Sequence, residues 1–293
     1  MTENDRLAER FQAHRPQLRA VAYRMLGSLA EAEDAVQETW LRLSRTDVTE
    51  VANLAGWLTT VVGRICLDLL RSRTSRREDL LGVHVPDPIL DRVDGPEHDA
   101  LLADELGLAL MVVLDSLSPA ERLAFVLHDM FAVPFDEIAA VVDKSPAATR
   151  QLATRARRRV RSAAPPRPDL GRQRAAVDAF QTAAREGDFD ALLAVLDPDV
   201  LLRADYGALA LGTNRELRGA HAVASNALMF ARFAAASRPV LVNGTLGIAA
   251  APEGRLFSVL AFTVTGDRIT QIDILADPAR LARLDTAFLA DRP

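Results

Sequence analysis

Residues 117–161 read LSPAERLAFVLHDMFAVPFDEIAAVVDKSPAATRQLATRARRRVR, a pattern typical of short helices joined by tight turns. Ser145 is a candidate N-cap and Pro146 a candidate first residue of the last helix, and both residue types are favoured at those positions. Within that helix, residues of one stripe recur at helical spacing: Thr149, Ala153, Ala156 and Val160. The stretch therefore predicts a helix-turn-helix.

The outer face of the last helix is strongly basic. Residues 144–161 contain seven basic side chains and no acidic one. The face opposite the inward stripe carries Arg150, Gln151, Thr154, Arg155 and Arg158. Such a helix fits the major groove of DNA, because its first turns can reach base edges and its basic end can meet phosphates. A helical hairpin with a solvated arginine face is the alternative, but the capped turn favours DNA binding.

Composition limits the class of protein. A chain of 293 residues with 49% hydrophobic residues can form two or three domains. We find no apolar run long enough to span a membrane and no N-terminal signal segment, so we expect a soluble, cytoplasmic protein. Cys66 is the single cysteine, and the five histidines lack metal-ligand spacing. We therefore expect no cofactor, no metal site and no internal disulfide.

Charge is distributed unevenly along the chain. The net charge is −5, yet residues 79–143 hold fourteen acidic and two basic residues. This acidic block separates two basic runs that lack acids, Arg71–Arg77 and Lys144–Arg161. Two separated basic runs predict contact with DNA phosphates at two places.

Shifts in composition and periodicity divide the chain. We predict a multidomain protein with two all-α domains and a C-terminal α+β domain. The expected ranges are an all-α domain (1–78), an acidic linker (79–105), a helix-turn-helix domain (106–162), a proline-rich linker (163–171) and an α+β domain (172–293). Predicted helices include Ala30–Leu43 capped by Ser28, Leu54–Ser72, His98–Leu114 and Ala220–Ala235. Predicted strands include Asp199–Tyr206, Pro239–Ala250, Arg255–Thr265 and Arg268–Leu275, the last two joined by a turn at Gly266-Asp267.

Three motifs, in this order, resemble those of a known family. Tyr23-Arg-Met-Leu-Gly27 followed by Ala32-Glu-Asp-Ala-Val-Gln-Glu-Thr-Trp-Leu-Arg42 resembles the polymerase-binding motif of bacterial extracytoplasmic-function sigma factors. Trp57-Leu with Ile65-Cys-Leu-Asp-Leu-Leu-Arg71 resembles their minus-10-binding helix, and Leu117–Arg161 resembles their minus-35-binding domain. The resemblance implies an alternative-type sigma factor, which is not an enzyme.

The remaining chain is similar to the subgroup of these sigma factors with a fused SnoaL-like domain. Val85-Pro-Asp-Pro88 resembles the linker motif of that subgroup, with His84 where tryptophan is usual. Asp205-Tyr-Gly-Ala208 and Asp277-Pro-Ala-Arg-Leu281 stand where its two C-terminal motifs are expected. The resemblance implies a cone-shaped α+β domain that modulates the activity of the sigma factor.

The resemblance also implies roles for particular residues, and none of these roles is catalytic. Contact with the β′ clamp helices of core RNA polymerase is expected from Asp34, Gln37, Glu38 and Leu41. Contact with the minus-10 element and its phosphates is expected from Arg64, Asp68, Arg71, Arg73, Arg76 and Arg77. Contact with the minus-35 element is expected from Arg150, Gln151, Thr154, Arg155 and Arg158. A regulatory contact between linker and C-terminal domain is expected from Val85, Pro86, Asp87, Pro88, Asp205, Tyr206 and Gly207.

Two rival functions remain open from sequence. One is a helix-turn-helix transcription regulator that acts without polymerase. The other is a SnoaL-type enzyme with a DNA-binding leader, since such folds can carry an acid–base residue in the cone. Candidates for polar pocket groups, and for an unknown small ligand, are Asp205, Tyr206, His221, Asn243 and Asp273. The alternative is that Asp205 and Asn243 bind backbone groups at turns, while His221 merely begins a helix.

Overall fold

The computed structural model describes residues 3–46, 53–77, 83–93, 107–163, 169–207 and 215–289. The chain forms two compact units. The first combines Met1–Leu81 with Leu110–Ala164, and the second combines Gly82–Ala109 with Pro165–Pro293. The described part of the segment interpreted as an acidic linker, residues 83–93, therefore folds with the C-terminal domain.

The first unit begins with three long helices. They are α1 (Glu3–Leu26), α2 (Leu29–Leu43) and α3 (Leu54–Arg77). Ser28 caps α2 as predicted, since its hydroxyl accepts a hydrogen bond from the Glu31 amide at 3.5 Å. One face near the end of α1 is buried: Leu18, Val21, Ala22, Met25 and Leu26. α3 continues five residues past its predicted end at Ser72.

The two tryptophans are half-buried. Trp40 lies at the edge of the α1–α2 contact, where its ring meets that of Phe11 at a tilt of 52° with centroids 5.1 Å apart. Trp57 lies in the first turn of α3. Both rings therefore border the core and are not enclosed by it.

The second group of helices packs on the first within the same unit. It comprises α4 (Gly107–Asp115), of which Leu110–Asp115 belong to this unit, α5 (Pro119–Phe125), a π-helical turn (Val126–Met130), α6 (Phe135–Val142) and α7 (Pro146–Ala163). Leu123 and Leu127 press on Gly63 of α3, where an added Cβ would lie 3.2–3.3 Å from their methyl groups. The Arg122 guanidinium donates to the carbonyl oxygen of Arg24 at 2.9 Å. Close packing on Gly63 and this hydrogen bond join the two helical segments.

The second unit is an α+β domain built on one sheet. Its helices are α8 (Leu170–Glu186), α9 (Phe189–Val195), α10 (Ala220–Met229) and α11 (Pro278–Leu281). Its strands are β1 (Leu90–Asp91), β2 (Leu196–Asp205), β3 (Arg215–Arg218), β4 (Ser237–Val242), β5 (Thr245–Ala250), β6 (Ser258–Thr265) and β7 (Arg268–Leu275). The described strands form a sheet in the order β1-β4-β5-β6-β7-β2-β3, in which only the β2–β7 pair is parallel.

One face of this sheet packs against α8, α9 and α10. Phe180 of α8 meets Phe262 of β6 edge-on, with ring centroids 5.4 Å apart. Leu202, Ile248 and Ile272 belong to the same buried cluster. The arrangement of helices and sheet is the α+β fold predicted for this part of the chain.

Some predicted boundaries in this unit are wrong. The run predicted as a single strand over Pro239–Ala250 is a hairpin, because Asn243 and Gly244 adopt φ angles of 51° and 81° and turn the chain. The helix predicted to reach Ala235 ends at Met229 and gives way to a 3-10 helix at Ala231–Ala236.

Other predictions for this unit are confirmed. The turn predicted at Gly266-Asp267 joins β6 to β7, with Thr265 opposite Arg268. The predicted strand Arg268–Leu275 is observed with both of its ends. Of the helix predicted over His98–Leu114, residues 98–106 lie outside the described residues. None of the described helices is long and apolar enough to cross a membrane.

Candidate functional site

The turn of the predicted helix-turn-helix has the expected geometry. α6 ends at Val142, and the next residue, Asp143, adopts a left-handed conformation (φ 54°, ψ 50°) that aspartate tolerates better than most residues. Ser145 then accepts a hydrogen bond from the Ala148 amide at 3.2 Å, and α7 begins at Pro146. The predicted inward stripe of α7 is buried, together with Leu152.

The opposite face of α7 is open to solvent. All five residues predicted to meet the minus-35 element are exposed: Arg150, Gln151, Thr154, Arg155 and Arg158. The guanidinium of Arg150 lies over the ring of Phe135, 5.7 Å from its centroid. This contact fixes the first turn of α7 against the start of α6.

A buried carboxylate that the sequence analysis missed organises the basic face. Glu121 of α5 accepts hydrogen bonds from Arg155 at 2.9 Å and from Arg159 at 3.3 Å. It also closes a capping box with Ser118. Burial alone would raise the pKa of Glu121, but the hydrogen bonds from Ser118 and Arg155 and the charge of Arg159 outweigh it and lower the pKa. Glu121 thus stays ionised and orients two arginines of α7.

The residues predicted to bind polymerase share one face of α2. Asp34, Gln37 and Leu41 are exposed, and Glu38 is half-buried. Glu38 accepts a hydrogen bond from Arg42 at 3.0 Å, a pair that spans one helical turn. Next to this face, a groove between α1 and α2 is lined by Phe11, Val36, Gln37 and Trp40, among others.

The predicted minus-10 residues fall into three groups. Arg64, Asp68 and Arg71 are exposed on one face of α3. Arg73 instead donates to the carbonyl oxygen of Leu26 at 2.9 Å and pairs with Glu31. Arg76 and Arg77 belong to α3, but their side chains lie outside the described residues.

The predicted regulatory segment is held by one arginine. Arg280 of α11 donates to Asp87 at 2.6 Å, to Asp205 at 2.8 Å and to the carbonyl oxygen of Val85 at 2.5 Å. Asp205 also accepts from the Val85 amide at 3.0 Å. We call Val85, Asp87, Asp205 and Arg280 the linker clamp. Pro86 and Pro88 are buried between these contacts.

A second anchor lies beside the linker clamp. The Asn243 side chain accepts from the Ile89 amide at 3.1 Å, and the Asn243 amide donates to the Ile89 carbonyl oxygen at 2.8 Å. β1 then pairs with β4. The sequence analysis missed Arg280, although it noted the Asp277–Leu281 motif that contains it. The motif gave no sign of its partner, because Arg280 and Val85 lie 195 positions apart.

The environment of Asp205 keeps this carboxyl ionised. Burial would raise its pKa, but His84, the amides of Val85 and Gly207, and the charge of Arg280 together lower the pKa to about 2. Gly207 has a φ of 78°, and a Cβ there would collide with Asp277. Glycine is therefore required for the close turn that aims its amide at Asp205.

The lowered pKa of Asp205 predicts a loss of stability in acid. A carboxyl whose folded pKa is depressed contributes stability above its unfolded pKa, and this contribution disappears as the pH falls towards the folded value. We expect Asp205 to contribute about 2 kcal/mol of unfolding free energy that is lost between about pH 5 and pH 2. Urea unfolding at a series of pH values measures this.

Asp205→Asn should flatten that pH dependence by the same amount, whereas Asp199→Asn, at an exposed position, should leave it as in the wild type. A wild-type slope in Asp205→Asn would contradict the prediction.

The polar pocket candidates do not gather at one place. Asp205 and Asn243 bind backbone amides, as the alternative interpretation predicted. His221 is exposed near the start of α10. Asp273 is buried against Arg203 at 2.7 Å, and burial raises its pKa. Only Tyr206 of the five borders the cavity of the second unit.

Comparisons with known proteins identify the family of the chain. Residues 10–76 match the family described as sigma-70 region 2, and residues 107–160 match sigma-70, region 4. The chain belongs to the extracytoplasmic-function (ECF) sigma factors of RNA polymerase. It is 40% identical over 275 residues to the ECF RNA polymerase sigma factor SigJ of Mycobacterium tuberculosis, covering 90% of this chain and 86% of that protein.

Two further matches cover almost the whole chain. It is 36% identical over 292 residues to the probable ECF RNA polymerase sigma factor SigI of the same species, covering 96% of this chain and 97% of that protein. The crystal structure of M. tuberculosis SigJ superposes with a TM-score of 0.77 at 35% identity, covering 95% of this chain and 99% of that one.

Membership of this family decides between the functions left open by sequence. A sigma factor binds core RNA polymerase and promoter DNA and directs promoter recognition at transcription initiation. It is an initiation factor and not an enzyme. The interpretations as a regulator independent of polymerase and as a SnoaL-type enzyme are therefore excluded.

Proposed function

We propose that α7 recognises the minus-35 element through the exposed residues Arg150, Gln151, Thr154, Arg155 and Arg158. One observation supports this proposal: all five side chains are exposed on the same basic face of α7. α7 is the second helix of the helix-turn-helix, and its first turn is capped by Ser145. An arginine that meets a guanine edge with two hydrogen bonds discriminates by about 1–3 kcal/mol. Glu121 would hold Arg155 in position before DNA arrives.

α3 is proposed to meet the minus-10 element. Its exposed residues Arg64, Asp68 and Arg71 would face bases and phosphates, and Arg76 and Arg77 would extend the basic run. Arg73 plays a different part, because it already binds the end of α1. It is proposed to hold α3 in place for the other residues.

α2 is proposed to bind the β′ clamp helices through Asp34, Gln37, Glu38 and Leu41. These residues combine carboxylates, an amide and an exposed leucine on one helical face. The neighbouring groove, lined by Phe11 and Trp40 among others, offers apolar surface to a partner helix. This role places the protein in the cytoplasm, beside polymerase and promoter DNA.

The C-terminal domain is proposed to regulate the sigma factor by holding the segment between the DNA-binding domains. The proposed domains are 1–78, 106–162 and 172–293, joined by 79–105 and 163–171. The linker clamp supports this role, because it ties Val85 and Asp87 to Asp205 and Arg280 by side-chain hydrogen bonds. Tyr206 and Gly207 follow Asp205 of the linker clamp in sequence. A small ligand in the adjoining cavity would change the stability of the clamp.

Run-off transcription with core RNA polymerase tests the proposed binding surface. We expect Glu38→Arg to reduce specific transcript by about tenfold or more, because a reversed charge repels its partner across an interface. Its fold should be retained, since an exposed pair such as Glu38–Arg42 contributes only about 0.3–0.5 kcal/mol. Glu186→Arg, at an exposed position in the C-terminal domain, is the matched control and should transcribe as the wild type. Full activity of Glu38→Arg would refute the assignment of α2.

A further inference from the structure

A cavity lies between the sheet and the helices of the C-terminal domain. Its walls come from α8, α10, the 3-10 helix after α10, and β2, β5, β6 and β7. The space open to the centre of a water molecule is about 100 Å³. Phe257 lines the cavity and is 39% exposed, so it marks the opening to solvent. Apolar cavities of comparable size bind single aromatic rings.

The cavity wall is apolar and uncharged. Most of its lining is alanine, leucine, isoleucine and phenylalanine, and none of its lining residues in the described part of the chain carries a charge. A charged ligand would lose its hydration without gaining a counter-charge, which is strongly unfavourable. A neutral ligand with an apolar body suits this wall.

Two polar side chains of the wall have no hydrogen-bond partner among the described residues. Asn226 of α10 is 6% exposed and Ser258 of β6 is 7% exposed, and both line the cavity. Among the described residues, neither side chain has a hydrogen-bond partner. A buried polar group without a partner is costly, and ligand sites often place a few such groups in an apolar wall to orient the ligand.

The cavity adjoins the linker clamp through the chain itself. Tyr206 in its wall follows Asp205, and Ala276 in its wall precedes Asp277. The Ala276 amide donates to the Asp205 carbonyl oxygen at 2.8 Å. Local opening of the clamp at Asp205 would therefore displace part of the cavity wall.

We propose that this cavity binds a small, neutral, largely apolar molecule carrying a hydroxyl or carbonyl group, which hydrogen-bonds to Asn226 and Ser258 and stabilises the closed linker clamp. The regulatory half of this inference rests on the proposed function, whereas the binding half does not. Because a ligand that binds only the closed form stabilises that form, its binding and clamp closure reinforce each other.

Three one-ring probes separate the effects of ligand charge and of hydrogen bonding on affinity: benzyl alcohol, toluene and benzoate. Titrations of the full-length protein, followed by saturation-transfer NMR, should show benzoate binding about tenfold or more weakly than benzyl alcohol. In Asn226→Leu, the preference for benzyl alcohol over toluene should fall by about three- to tenfold, as expected for one lost hydrogen bond. Equal binding of benzoate, or an unchanged preference in Asn226→Leu, would overturn the proposal.

A filled cavity provides a second test. Ala227→Phe places a ring in the cavity and should abolish binding of benzyl alcohol and toluene. Ala222→Phe lies at an exposed position of the same helix and should bind as the wild type. If Ala227→Phe binds both probes as the wild type does, the ligand lies elsewhere and the proposal is wrong.

Hydrogen exchange of the Val85 and Ile89 amides tests the link to the clamp. Benzyl alcohol should slow exchange at both amides in the wild type and in Ala222→Phe, but not in Ala227→Phe. Binding without any change in exchange would refute the regulatory half alone. The transcription assay of Glu38→Arg contains no probe, and the binding titrations contain no polymerase. A failure of the proposed function is therefore distinguishable from a failure of ligand binding.

Discussion

Arg280→Ala is expected to lower the unfolding free energy by about 3–5 kcal/mol, the cost of removing one partner from a buried ion pair. The Arg280 side chain is 19% exposed, and it neutralises Asp87 and Asp205, whose side chains are 9% and 4% exposed. Without the guanidinium, both buried carboxylates lose this counter-charge, and the Val85 carbonyl oxygen loses its donor. Urea unfolding of the full-length protein measures the loss.

Two further variants test whether the planar guanidinium of Arg280, and not its charge alone, causes the loss of stability. Arg280→Lys retains the charge but cannot donate to three acceptors in a fixed plane, so its stability should fall between the wild type and Arg280→Ala. Arg283→Ala, at an exposed position three residues away, should change the stability by no more than about 0.5 kcal/mol. Hydrogen exchange at Val85 should accelerate in Arg280→Ala. An Arg280→Ala variant as stable as Arg283→Ala would contradict the role of the clamp.

Arg122→Ala is expected to destabilise the first unit by a similar amount, about 3–5 kcal/mol. The Arg122 side chain is 3% exposed and pairs with Asp115, whose side chain is 18% exposed. Arg122 also donates to the carbonyl oxygen of Arg24, which joins the two helical segments. Its removal leaves Asp115 partly buried without its partner and removes a link to α1. Denaturant unfolding, followed by circular dichroism of the mostly helical first unit, reports this loss.

A double variant distinguishes the buried charge from simple loss of packing. Arg122→Met combined with Asp115→Leu removes both charges and keeps apolar volume, so it should recover most of the lost stability. Arg161→Ala, at an exposed position of α7, serves as the control and should be close to the wild type. If the double variant is as unstable as Arg122→Ala, the ion pair is not the reason for the loss.

Local sequence signals predicted the helix-turn-helix well. Ser145 and Pro146 specify where α7 begins, and the spacing of small residues specifies its buried stripe. These features depend on neighbours within a few positions, because capping and helical periodicity are local. The same applies to the Ser28 cap of α2 and to the turn between β6 and β7.

Sequence reasoning failed where local signals competed. The apolar run Pro239–Ala250 was predicted as one strand, although it contains Asn243-Gly244, a pair that favours a hairpin turn and forms one here. The helix predicted through Ala235 continues an alanine-rich pattern, yet the chain leaves α10 after Met229. At Asn243-Gly244 the local turn signal prevailed over the average strand preference of the surrounding run.

By itself, the sequence determined the order of the domains, the helix-turn-helix, its basic face and the resemblance to sigma factors. These features depend on motifs and periodicity, which involve residues close together in the chain. Only the tertiary structure decided that Arg280 binds Val85 and Asp205, that Glu121 orients Arg155, and that Asn226 and Ser258 share a cavity. These residues lie 32 or more positions apart, and such contacts form only when packing of the core brings distant segments together. A charged or polar side chain reveals that it needs a partner, but the identity of the partner depends on the fold.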